Sequence, residues 1–88
     1  MNIHNLQQTL LKKGLRPNAV SFIPGKLTAA EQYCIEPATN KGWEVYYFER
    51  GNKNDLHHFD DEDSACAYLL DILMKDHTVW IHRPSLPV

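Results

Sequence analysis

The residues of this chain that could do chemistry are its five histidines, its two cysteines and one dense run of acids. His57 and His58 beside Asp55 and Asp60 make the tightest cluster. A metal site or an acid–base pair would need those rings to converge. Adjacent residues of a strand point to opposite faces, so the two rings cannot chelate one ion without distant help. His77 and His82, also of opposite parity, would be separated in the same way on a strand. No metal or other cofactor is expected. Asp60, Asp61, Glu62 and Asp63 could hold a cation, yet the run lacks the glycine and regularly spaced ligands of a calcium loop. Acids at a helix start cap free amides and complement the helix dipole, and that is the role assigned to them.

The other reactive residue types carry no pattern either. Cys34 and Cys66 lack C-x-x-C spacing and lie in apolar stretches, which predicts reduced, buried thiols. Ser21 and Ser64 have no nearby His and acid partners, and four scattered glycines do not make a phosphate-cradling loop. Enzyme function is left without a site. A small hydrolase using His57 or His58 with Asp55 survives as an alternative only if a cleft brings ring and carboxylate within about 3 Å.

The elements that would position these residues follow from composition and periodicity. At 88 residues the chain builds one core, so a single domain over residues 1–88 is expected. A 43% hydrophobic content with 10% aromatics suits a folded globule. The formal charge of -2 gives no general attraction to nucleic acid, and Lys12, Lys13 and Arg16 form the one basic cluster. No stretch approaches the roughly 20 apolar residues of a membrane span, and the amphipathic start MNIHNLQQTLLKKG does not read as an export signal, so a cytoplasmic location is expected.

Ile3, Leu6, Leu10 and Leu11 recur at helical spacing over about residues 3–13, with Asn2 as cap and Gly14 as a left-handed stop. Val20 to Ile23 is a short β-prone run ended by Pro24-Gly25. Residues 32–36 give a second strand and Trp43 to Arg50 the clearest one. There Trp43, Val45 and Tyr47 face one way while Glu44, Tyr46 and Phe48 face the other. Gly51 to Asn54 should turn the chain into a strand over 55–59. A helix over about 61–75 follows, with Asp60 as cap and Ala65, Cys66, Leu69, Leu70, Ile72 and Leu73 as its apolar stripe. Thr78 to Ile81 is a possible last strand. The sum is an α+β fold: an antiparallel three- to four-stranded meander flanked by an N-terminal helix and one in the C-terminal half. Two helices cover one sheet face, so the face carrying Tyr46 and Phe48 should stay partly exposed, which suggests a partner.

Lys41 to Asp76 carries more than periodicity. Its strand and turn W-E-V-Y-Y-x-E-R-G-N-K, followed by L-x-x-F-D-x-E-x-x-A-x-x-Y-L-L-x-x-L, resembles small bacterial immunity proteins. These are the antitoxins of polymorphic toxins, including those of contact-dependent growth inhibition systems. The resemblance covers 36 of the 88 residues. It implies a cytosolic, non-catalytic protein that binds the C-terminal toxin domain of a cognate effector, commonly a nuclease, and touches neither nucleic acid nor membrane itself. A nuclease surface is basic, so acids for steering and aromatics for a desolvated anchor would serve such an inhibitor. The candidate partner-binding residues are Glu44, Tyr46, Phe48, Glu49, Asp55, Asp61 and Glu62. A regulatory or adaptor domain acting on another protein would use the same aromatic face.

Overall fold

The computed structural model describes residues 1–22 and 31–81. The expected turn at Pro24-Gly25, the end of the first strand at Ile23 and the chain from His82 onward lie outside the described residues. Helix α1 spans Ile3–Lys12, strand β1 Val20–Ser21, β2 Glu31–Pro37, β3 Trp43–Glu49, β4 Asn52–Phe59 and helix α2 Glu62–Lys75. A 3-10 turn at His77–Val79 ends the series. The fold is α+β, with a four-stranded sheet in the order β1-β2-β3-β4.

Both helices form where periodicity and caps place them. The Asn2 side chain accepts from the amide of Asn5, satisfying an amide that has no partner within α1. Gly14, at φ 98°, ends the helix in the left-handed region, and the Leu15 amide returns to the Leu10 carbonyl at 3.0 Å. The cap of α2 is Asp61, one residue later than predicted: its carboxylate accepts from the Ser64 amide at 2.7 Å. Asp60 and Asp61 are equally good caps by residue type, so only the actual entry of the chain selects between them. That bond holds the Asp61 carboxyl below its ordinary value of 3.8. Asp61→Ala should therefore lower the denaturation midpoint while Asp60→Ala leaves it near wild type. Since the folded carboxyl titrates below the unfolded one, the stabilisation is complete above pH 3.8 and is lost as pH falls through the lower, folded value. Asp61→Asn should flatten that acid limb in a pH series of urea melts.

The sheet is mixed, not purely antiparallel. Strand β1 runs parallel to β2, with Val20 opposite Tyr33 and Ser21 opposite Cys34. The short loops argued against a crossover, but a strand only two residues long needs little chain to return past it, and the stretch between Ser21 and Glu31 suffices. The β2–β3 and β3–β4 pairs are antiparallel as expected. The turn between β3 and β4 is Arg50-Gly51, both at positive φ, which is the signature of a two-residue type I′ connection. Strand β4 thus begins at Asn52, earlier than the expected 55.

Thr78 to Ile81 does not form a strand in the sheet. The Asp76 carboxylate accepts from both the amide and the hydroxyl of Thr78, at 2.9 and 2.6 Å, closing a local turn that competes with extended backbone. Trp80 then makes an isolated bridge with Leu15, and its Nε1 donates to the Leu73 carbonyl at 3.0 Å near the end of α2. That carbonyl also accepts from the Asp76 amide at 3.1 Å, so the tryptophan fills the core and uses the oxygen's second lone pair.

The core lies between the helices and one sheet face. Leu6 and Leu10 of α1, Leu69 and Leu73 of α2, Ile35, Val45 and Trp80 form one buried cluster with Leu15, Val20, Cys66 and Val79. Leu70 and Ile72, assigned to the α2 stripe, are only half-buried at its margin. Cys34 and Cys66 are both buried and free, as expected. Burial raises both thiols, Cys66 to about 11. In the folded protein neither should react measurably with iodoacetamide at neutral pH, whereas both should in denaturant; the modification count by mass spectrometry checks this.

Candidate functional site

Two surfaces of the sheet carry the predicted partner-binding residues, and a third group sits at the helix starts. Val45 belongs to the core, so by alternation Glu44, Tyr46 and Phe48 lie on the face turned away from α2, together with Glu36 of β2. Glu49 shares the helix-side face with Trp43, Val45 and Tyr47. Between Val45 and Tyr47 the β3–β4 register slips: Val45 pairs with His57 but Tyr47 with Asn54, so β4 carries one extra residue. Asp55 takes up that bulge at φ 52°, a left-handed conformation that aspartate and asparagine tolerate better than most residues. The bulge places Leu56 on the outer face, where it is 45% exposed.

Tyr46 is not the exposed aromatic that alternation alone predicts. It is only 6% exposed. Its hydroxyl donates to the Glu36 carboxylate, its ring lies 4.7 Å from the Lys53 ammonium, and it stands opposite Cys34 across the β2–β3 pair. Burial, and then the bond to Glu36, push its phenol above the ordinary value. Among the described residues the apolar groups left accessible on this face include Phe48, half-buried, and Leu56. Glu44 stands 3.8 Å from Lys53.

The register puts acids in opposition. Glu36 faces Glu44, and Glu31 faces Glu49, across the same strand pair. Directly opposed residues of an antiparallel pair have Cβ atoms about 5 Å apart, and like charges there repel. By contrast the acids at the start of α2 are engaged inside the molecule. Asp61 caps its own helix, Glu62 accepts from the Ile3 amide of α1 at 2.7 Å, and Asp63 pairs with the Met1 ammonium at 2.6 Å. Glu62 and Asp63 therefore join the two helix starts, and Asp61 and Glu62 are not gathered with Glu44 and Phe48.

The histidines separate as alternation requires. His57 Nδ1 lies 2.8 Å from the Asp55 carbonyl and 3.2 Å from the Tyr68 hydroxyl, whereas His58 Nε2 reaches the Lys41 carbonyl at 2.6 Å. A carbonyl only accepts, so both ring nitrogens act as donors. Neither ring is hydrogen-bonded to a carboxylate, the pairing that the hydrolase alternative needs. Among the described residues no group of three His, Cys, Asp or Glu side chains is placed to hold a metal, and no helix is long and apolar enough to cross a membrane.

Sequence reasoning missed Leu56, Lys53 and Glu36, and it missed a cleft of about 250 Å³ between α2 and the sheet, lined by Tyr33, Tyr47, Tyr68, Asn54, Asp55 and Ile72. One signal was available: Asn54-Asp55 inside a β-prone run marks a position able to adopt positive φ, hence a bulge. Comparison with protein families, with curated proteins and with solved structures finds no match to this chain.

Proposed function

We propose that this protein is a non-catalytic inhibitor of the immunity type, which binds and neutralises the basic C-terminal toxin domain of a cognate bacterial effector in the cytoplasm. The observation that carries the reading is the β2–β3 register, which opposes two pairs of carboxylates on a sheet that also presents Phe48 and Leu56. Opposed acids cost stability in the free protein and are relieved by a cationic partner. The resemblance of residues 41–76 supplies the class of partner.

Acids steer encounter and apolar anchors hold the complex, so the two should separate kinetically. Glu44→Gln with Glu49→Gln should slow association and flatten its salt dependence, because exposed charges are screened within roughly 8 Å at physiological ionic strength. Phe48→Ala with Leu56→Ala should chiefly speed dissociation, with a loss of about 2 kcal/mol in affinity. The founding experiment is co-expression with the C-terminal fragment of the large effector encoded beside this gene, scoring growth rescue and co-purification. Failure of both with every neighbouring effector fragment rejects the reading.

A further inference from the structure

The tyrosine cleft lies on the helix side of the sheet at the margin of the core, with buried Val45 among its lining residues. Tyr33 and Tyr47 pack edge to face, ring centres 4.9 Å apart and planes at 63°, so they form two walls of a corner. Tyr68 of α2 lines the same cleft, its ring held by His57 at 4.7 Å and Phe59 at 5.2 Å. Asp55 reaches it from the bulge. The Tyr33 hydroxyl donates to Asp76 at 2.8 Å and the Tyr47 hydroxyl to Glu31 at 3.4 Å. Each carboxylate keeps further lone pairs able to accept.

We propose that this cleft takes a guanidinium, the side chain of an arginine presented by the basic protein partner. The inference rests on the proposed function and names the group recognised. Aromatic faces attract cations, and a planar guanidinium both stacks on tyrosine and donates to carboxylates in its own plane, which an ammonium does not. Asp55 is the carboxylate that lines the cleft; Asp76 and Glu31 accept from its phenols, and Glu49 stands opposite Glu31. Among the described residues no lysine or arginine forms an ion pair with any of these four, and Arg16 lines the neighbouring cleft that shares Tyr33 and Tyr47 and also holds Glu31 and Asp76. The phenols register the same field. Tyr33 is raised by burial, by its bond to Asp76 and by the charges of Asp76 and Asp55, and Tyr47 by burial and by Glu31, Glu49 and Asp76. The bulge gives the arrangement its cause, since it is the extra residue in β4 that carries Asp55 to the cleft.

The test is an NMR titration of the whole protein with N-acetyl-arginine amide, N-acetyl-citrulline amide and free L-arginine. The capped arginine should shift the amides of Tyr47, Asn54 and Tyr68 saturably, and the isosteric, neutral citrulline should not. Asp55→Asn, which suits the positive φ and keeps the shape, should weaken the response about tenfold. Tyr47→Leu should abolish it. An equal response to citrulline, no saturable response, or an unchanged response in Asp55→Asn overturns the assignment. Tighter binding of free arginine than of the capped residue also overturns it, because a site for a partner's side chain has no use for the free amino and carboxyl groups. Growth rescue is scored separately. Rescue without an arginine response rejects the cleft and leaves the inhibitor reading, whereas a specific arginine response without rescue upholds the cleft and rejects the toxin partner.

Discussion

Leu69→Ala should destabilise the protein by about 2 to 5 kcal/mol, against a total stability of about 5 to 15 kcal/mol for a domain of this kind. Leu69 is fully buried at the centre of the α2 stripe, and α2 packs on α1 and on β2, β3 and β4. Removing its side chain leaves a cavity lined from several sides, which those elements cannot all close at once. Leu70→Ala, one position round the helix and only half-buried, should cost distinctly less. Urea melts of the two variants check the register of α2: equal losses would mean that the stripe faces elsewhere.

Gly42→Ala should be comparably severe for a different reason. Gly42 sits in the β2–β3 turn at φ 84°, where any side chain is strained, at about 1 to 3 kcal/mol. A Cβ there would also collide with the Phe59 carbonyl oxygen and crowd the His58 ring. The first neighbour is backbone and cannot swing aside. The turn and the end of β4 would have to part, breaking the approach by which His58 reaches the Lys41 carbonyl. Gly51→Ala is the control: it has a similar positive φ of 79° but open space around the position, so it should show the conformational cost alone. A Gly42→Ala melt no worse than that of Gly51→Ala would exclude the close approach.

Neither Leu69 nor Gly42 is proposed to touch a partner, so any loss of the proposed toxin binding in these variants should track the fraction unfolded. Phe48, Leu56 and Asp55 variants should lose binding while remaining folded. Circular dichroism beside the binding assay separates the two cases.

What could be read along the chain is what local physics specifies. Helical spacing with Asn2 and Gly14 places α1, and the alternation in Trp43 to Glu49 places β3 and assigns Val45 to the core. The acids at the start of α2 are legible as capping, because a backbone amide without a partner donates to a nearby carboxylate of either residue. Choosing Asp61 over Asp60 is not, since residue type is the same and only the path of the chain distinguishes them. The parallel pairing of β1 and the burial of Tyr46 beneath Lys53 and against Glu36 each depend on strands meeting in space, whereas the Asp76–Thr78 turn is local and wins over extended backbone by side-chain bonds that residue type alone does not rank. The same holds for the candidate sites. The sequence supplies acids and aromatics in abundance; their separation into an outer face, a tyrosine cleft and a junction between helix starts is decided by the β2–β3 register and the single extra residue in β4. One residue more or less in a strand turns every following side chain to the other face; Asn54-Asp55 marks where that can occur, but the pairing of β3 with β4 decides that it does.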